Sequence, residues 1–521
     1  MTFESPIIEW APLAPVLIVF AAAVIGILIE TVAPPVWVRR PLQVALALVA
    51  TITAAATAAL QWIVLDGDGT EVVQDRIICD RQSLIWMVMI AVFAALALLL
   101  FTSRAGGDDA FTPLAAATPG SKEEREASRK GFAQTEVFPL ALFSAGGMML
   151  FTMVSDTLIL FVVLELFSLP HYVLVALARR HRLLSQEAAL KYFLMGAFAS
   201  AIYLFGAALV YGGASSTSFT IIDSIIALAR GREALILVGV VLMLVGLLFK
   251  LGAVPFHAWT PDAYQGAPTP VTAFMAAATK AAAAAALLRF LYLAVHRFEW
   301  ELAPVLWTIA IATMLVGTVA AIVQTDIKRM LAYSSIAHGG FVLVAVTSFE
   351  REALAAVPFY MLAYGLATLG AFAIVGQVRE VTKDGSLGAE ATRLGQWAGL
   401  GRRSPWLATA MAIFLLSFAG IPLTAGFIGK FVVFKAAVVA GGWPLVVVAV
   451  LASVVAVFFY VRVVVLMFLT PVPEDLEDAV EVTESTGPFL VVGITALATV
   501  VLGVVPSVVL DLASNAAILV P

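Results

Sequence analysis

The 521-residue chain is poor in charge: Asp, Glu, Lys and Arg make up 12% of it, against 62% hydrophobic residues and a mean hydropathy of +1.02. A water-soluble domain of this length needs a polar surface, so that balance excludes one. Cysteine is nearly absent. The single residue, Cys79, rules out an intrachain disulfide and any cysteine-held iron–sulfur cluster. Metal-ligand spacings, phosphate loops and nucleotide fingerprints are missing too, so nothing here is equipped for redox chemistry or nucleotide hydrolysis. The net charge of −5 says little about partners, since binding nucleic acid would need a basic patch; no nucleic acid is expected as a partner. The N-terminus, Met1-Thr-Phe-Glu-Ser-Pro-Ile-Ile-Glu, lacks the basic region of a cleaved signal peptide, and the first span is expected to be retained.

Long apolar runs are what the chain has. Fourteen segments read as membrane-spanning helices by length and hydropathy, at roughly 12–32, 42–64, 84–101, 137–154, 157–178, 187–211, 234–256, 270–295, 302–324, 330–349, 353–377, 405–440, 444–469 and 488–510. The fold class expected is an all-α integral membrane protein in contact with lipid. Residues 104–135 and 380–403 read as polar loops, and 471–487 as an acidic one. Seventeen Lys and Arg residues fall in loops after odd-numbered spans and six after even-numbered ones. Basic residues favour the cytoplasmic side, so both termini are expected outside it.

Two spans carry Gly, Pro and Lys together. The seventh reads Lys250-Leu-Gly252-Ala-Val-Pro255-Phe-His257, and the twelfth Gly420-Ile-Pro422-Leu-Thr-Ala-Gly426-Phe-Ile-Gly-Lys430. Proline removes a backbone donor and glycine relaxes the helix, so both spans are expected to break near mid-membrane. Their offset of five spans suggests two inverted five-helix repeats. The chain then divides into residues 1–135, a three-helix segment with its loop; 136–300 and 301–470, the two repeats; and 471–521, the acidic loop with a last helix. On this reading Lys250 ends one half-helix, at its negative pole. Lys430 begins another, at its positive pole.

Lys191, Lys250, Lys280 and Lys430 all lie in apolar runs, and so does Glu165. A charge at the bilayer centre costs at least ~2.5–3.5 kcal/mol, so such residues mark ion or proton pathways. Desolvation penalises an ammonium, which lets a buried lysine exchange its proton near neutral pH. The bland alternative is a lysine snorkelling to the interface, and it weighs most for Lys191, close to its span's end. Glu165 needs a counter-charge, and Lys191 in the next span is the candidate, as a switchable pair or a static one. His257 and His338 are candidate bridges between lysines; structural roles remain open for His338 and His171.

The run Lys250-Leu-Gly-Ala-Val-Pro-Phe-His257-Ala-Trp-Thr-Pro-Asp262 through Pro270, with Asp326-Ile-Lys328 through His338, resembles the antiporter-like subunits of respiratory complex I. Leu164-Glu165-Leu-Phe-Ser168 and Gly426-Phe-Ile-Gly-Lys430 are similar to the subunit N branch of that family. The long stretch 104–135 departs from its pattern. The resemblance implies a channel-forming subunit of a proton-pumping NADH–quinone oxidoreductase in a bacterial plasma membrane. Glu165, Lys191, Lys250, Lys280 and Lys430 would form the proton relay, with His257 and His338 as bridges. NADH, FMN, iron–sulfur clusters and quinone would belong to other subunits, and subunits M and K would be the neighbours. A subunit of a multi-protein sodium/proton antiporter shares the lysine motifs and is the first alternative. A scaffold without conduction is the second.

Overall fold

A computed structural model describes residues 8–520 except 33–34, 66, 68, 119–120, 131, 229–230, 383–384 and 473–478. The acidic residues Glu474, Asp475, Glu477 and Asp478 lie outside the described residues.

Helices dominate, because an apolar backbone in lipid must satisfy its hydrogen bonds within itself. In chain order they are α1 (Ala14–Val32), α2 (Val36–Val64), α3 (Arg81–Phe101), α4 (Lys122–Arg129), α5 (Val137–Phe151), α6 (Thr157–Val175), α7 (Arg182–Ala214), α8 (Phe219–Ile226), α9 (Glu233–Leu251), α10 (Trp259–Gly266) and α11 (Thr269–Ala294). There follow α12 (Glu299–Ile322), α13 (Ile327–Val346), α14 (Arg351–Gln377), α15 (Pro405–Ala419), α16 (Ala425–Val439), α17 (Trp443–Phe468), α18 (Thr486–Val504) and α19 (Ser507–Asn515). Twelve helices among the described residues are long and apolar enough to cross a membrane. α5 and α15, at fifteen residues each, are apolar but shorter.

Aspartates start several of these helices. Asp80 accepts from Ser83 N at the head of α3, Asp156 from Leu158 N and Ile159 N in α6, and Asp326 from Arg329 N in α13. Each satisfies a backbone donor that the first turn leaves without a partner.

Two small antiparallel sheets mark opposite ends of the bundle. β1 (Gly69–Val73) pairs with β2 (Ile77–Asp80) at what we call the hairpin end. β3 (Val378–Val381) lies between β4 (Leu387–Glu390) and β5 (Val480–Val482) at the sheet end. Both described chain ends sit at the hairpin end: Glu9 N donates to Val72 O at 3.0 Å, and Val520 N to Asp80 Oδ2 at 3.3 Å.

The described residues of 104–135 are more ordered than a polar loop. They contain α4, and their acids dock on the bundle: Asp109 pairs with Arg179 at 3.0 Å and Glu124 with Arg182 at 2.9 Å. These partners lie far away in sequence, which is why local composition conceals the order.

α11, α13 and α14 form the centre. Every residue of the α11 window is buried, whereas α2, α7 and α17 turn large apolar side chains outward. Helices that are apolar all round belong inside such an assembly.

Candidate functional site

Both expected breaks exist. α9 ends on Gly252 in the left-handed region (φ +77°), and the chain re-enters a helix only at α10. α15 ends on Gly420 (φ +82°), and Leu423 (φ +71°) follows before α16. A left-handed residue closes a helix cheaply when it is glycine.

Lys250 occupies the last turn of α9 and is buried. Its Nζ lies 3.4 Å from Tyr172 Oη and 5.2–5.7 Å from the ring centroids of Phe167, Tyr172, Tyr192 and Phe249. Aromatic faces attract a cation without neutralising it. Glu165, two turns before Tyr172 on α6, is the carboxylate within electrostatic reach of this lysine.

The expected Glu165–Lys191 pair does not form. Glu165 accepts a hydrogen bond from Ser200 Oγ instead. Ser200 is nine residues beyond Lys191 on α7, about 13 Å along the axis at 1.5 Å per residue. Lys191 is 47% exposed at its side chain, and it pairs with Glu187 at 2.7 Å and Asp262 at 3.0 Å. Asp262 also holds Arg329 at 2.7 Å. So the cluster ties α10, the short half of the broken helix, to α7 and α13.

Lys280 lies inside α11, immediately after a five-residue π-helical stretch, Met275–Thr279. Such stretches are frequent at functional positions. The buried ammonium donates to the carbonyl of Ser335 on α13. It faces the first break: a Cβ added to Gly252 would stand 3.8 Å from Nζ, and one on Gly339 likewise.

His338 follows Ser335 by three residues. Its Nδ1 is 2.6 Å from Tyr360 Oη and its Nε2 3.1 Å from Tyr460 Oη, while Tyr460 also bonds Ser334. Ser335, the acceptor of Lys280, lies one turn before His338, whose ring centroid is 5.5 Å from that of Phe418, and the Phe418 carbonyl accepts from Lys430. His338 thus adjoins residues that hold both lysines. His257 is different. It sits half-buried in the first break, and no hydrogen bond among the described residues joins it to a lysine.

Lys430 is buried on α16 and reaches backwards. Its Nζ donates to Phe418 O (2.8 Å), Ala419 O (3.1 Å) and Ser453 Oγ (2.7 Å), and lies 4.9 Å from the Phe341 ring centroid. The expectation that it occupies the positive pole of a half-helix is overturned. The flexible stem carries the charge across the break to the last carbonyls of α15, the negative pole.

Sequence reasoning missed Tyr172, Ser335 and Ser453, whose polar atoms meet Lys250, Lys280 and Lys430, and Tyr360 and Tyr460, which meet His338. Nothing in local composition separates a connecting tyrosine from a packing one.

At the sheet end a cleft of about 420 Å³ opens beside the foot of α11. Asp109, Arg179, Gln265, Asp326, Lys328 and Glu390 help to line it. Lys328 donates to Ala267 O at 2.8 Å, and Glu390 accepts from Thr269 at 3.1 Å, next to Arg379 at 3.6 Å. Burial opposes charge on Glu390, but Arg379 and then Lys328 outweigh it, and its carboxyl is pushed down to about 2. Among the described residues, no group of three or more His, Cys, Asp or Glu could hold a metal ion.

A family profile described as NADH:quinone oxidoreductase/Mrp antiporter, transmembrane, matches residues 154–456. Subunit N of NADH-quinone oxidoreductase from Beutenbergia cavernae is 54% identical over 527 residues, covering 99% of each chain. The chain belongs to the NADH–quinone oxidoreductase subunit N family. The Mycobacterium tuberculosis subunit N is 48% identical over 99% of both chains. Among solved structures, a chain of respiratory complex I from Thermus thermophilus with bound aureothin superposes with a TM-score of 0.76 at 32% identity, over 96% of this chain and 99% of that one. The Mrp complex from Dietzia gives 0.78, over 97% of both chains, but at 22% identity it shares the fold alone.

Proposed function

We propose that this chain is the proton-translocating membrane-arm subunit of a NADH–quinone oxidoreductase, and that Lys250, Lys280, His338 and Lys430 carry the proton. The observation that supports this best is the seating of three buried lysines at two helix breaks, with His338 adjoining residues that hold the second and third. Each site offers a group that can gain and lose a proton, beside polar groups of neighbouring helices. Glu165 modulates Lys250 through space. Lys191 acts with Asp262 to hold α10 rather than as the partner of Glu165.

The sheet end is then cytoplasmic, since it carries Arg179, Arg180, Lys328, Arg379 and Arg393. The polar cleft at the foot of α11 suits proton uptake toward Lys280. Lys430 would release protons toward the hairpin end, and both chain termini would lie outside the cytoplasm. Fourteen crossings, ten of them in two inverted five-helix repeats, fit breaks that lie five spans apart. Other complex I subunits are partners, with subunits M and K as the immediate neighbours in a bacterial plasma membrane. NADH, FMN, iron–sulfur clusters and quinone reside on those other subunits. Full-length likeness to curated subunit N chains favours this reading over an independent sodium/proton antiporter, whose activity would need sodium and no NADH.

Lys250→Ala tests the relay. It removes a titratable group that no neighbour replaces, so NADH–quinone turnover and proton pumping should both drop sharply. Lys250→Arg should fail as well, because a guanidinium does not deprotonate at any attainable pH. Wild-type pumping by the assembled Lys250→Ala complex would sink the relay.

A further inference from the structure

A second buried charge shares the helix of Lys280 and has no part in the relay above. Arg289 ends the regular stretch Lys280–Arg289, nine residues and about 13 Å toward the hairpin end. It is 1% exposed, and Asp80, at the head of α3, is 0% exposed. Arg289 NH1 and NH2 reach Asp80 Oδ2 at 2.9 and 2.8 Å, and Nε donates to Ser155 Oγ at 3.0 Å. Asp80 is fixed in turn by Ser83 N at 2.7 Å and Val520 N at 3.3 Å. Strand β2, the α5–α6 connection, α11 and the C-terminal stretch therefore converge on one ion pair.

Between Lys280 and Arg289 the helix offers Ala281–Ala286, Leu287 and Leu288, all buried. Six of those eight side chains are single methyl groups, and none of the eight carries a group that can hold a proton. The first group beyond Lys280 that repels a proton is Arg289. A lysine or histidine there would extend the relay straight outward. An arginine does not, because it stays protonated and has no lone pair to accept with. Fixed arginines exclude protons from membrane pores on the same ground.

We infer that Arg289, clamped by Asp80 and Ser155, is a proton stopper that closes the direct exit beneath Lys280 and leaves the sideways route through His338 to Lys430. The inference rests on the proposed relay. Without a stopper, a proton on Lys280 could fall outward without crossing to the second half of the subunit.

The test is passive proton flow through the purified complex in liposomes, without NADH, with an imposed pH gradient and an entrapped pH dye. Asp80→Asn with Arg289→Gln removes both charges together, so neither is left unpaired, and the asparagine still caps α3. That variant should leak protons several-fold faster than wild type. Should it fail to assemble, Arg289→Lys decides: it keeps the ion pair but can release its proton, and it should leak too. Wild-type tightness in an assembled double variant, or in Arg289→Lys where the double variant does not assemble, overturns the stopper. Adding Lys280→Ala should abolish the leak. A leak that survives this addition keeps Arg289 as a seal but overturns the route through Lys280.

Discussion

Lys430 donates to the carbonyl oxygen of Phe418 at 2.8 Å, twelve residues back across a broken helix. The ammonium thus closes the C-terminal end of α15, although its Cα belongs to α16. Lys250 and Lys430 consequently both sit at the end of a first half-helix. Residue order around the break hides this, because a lysine stem is long enough to reverse its charge's position.

Gly420 makes that reach feasible. A Cβ there would stand 3.0 Å from Lys430 Cδ and 3.3 Å from Nζ. Gly420→Ala should cost about 1–2 kcal/mol for its left-handed backbone and displace the ammonium as well. Gly441 has a similar φ of +79° with open space at its Cβ. Gly441→Ala should therefore show the stability loss in thermal melts while pumping persists. Equal pumping in the two variants would mean that the Lys430 contact is immaterial.

Glu165 and Lys191 should behave as separate sites. Glu165→Asp keeps a carboxylate near Lys250, so it should retain more NADH-driven pumping than Glu165→Gln. Lys191→Ala breaks a half-exposed pair of the kind worth about 0–1 kcal/mol. Its effect on pumping should be smaller than that of Glu165→Gln. A loss of equal size in both would restore the direct partnership that the Ser200 bond argues against.

The lysines of the relay are legible in sequence because a charge in an apolar run is anomalous whatever the fold. The breaks are legible because Gly and Pro act locally. What could not be read was phase and reach. Glu165 meets Ser200 rather than Lys191 because α7 runs for 33 residues, and Lys191 lies in its third turn, toward the sheet end. Arg289 shares the apolar run of Lys280, yet its role depends on Asp80, 209 residues away. The order of the described residues of 104–135 likewise draws on distant Arg179 and Arg182.

Topology gives a direct check. Because both described ends of the chain lie at the hairpin end, an even number of crossings separates them. A reporter active only in the cytoplasm should stay silent when fused at Pro521 and be active when placed within residues 104–135. A strong signal at Pro521 would reverse the assignment of sheet end to cytoplasm.

Glu390 predicts a pH window for the sheet end. Its carboxyl is pushed down to about 2 from an ordinary value of 4.5, with Arg379 and Lys328 overcoming the cost of burial. A group whose folded value is depressed stabilises the native state above its unfolded value, and that stabilisation fades as pH falls toward the folded one. The Glu390 contribution should therefore be complete at pH 5 and above, and be lost progressively from about 4.5 down to about 2. Cleft geometry around Lys328 and Thr269 should then be insensitive to pH across the working range, as a fixed entry requires. Glu390→Gln removes this contribution. The gap in melting temperature between wild type and variant should be constant from pH 8 to 5 and shrink below 4.5. A gap that is already shrinking between pH 7 and 5 would mean that Glu390 titrates in the working range and takes part in proton uptake itself.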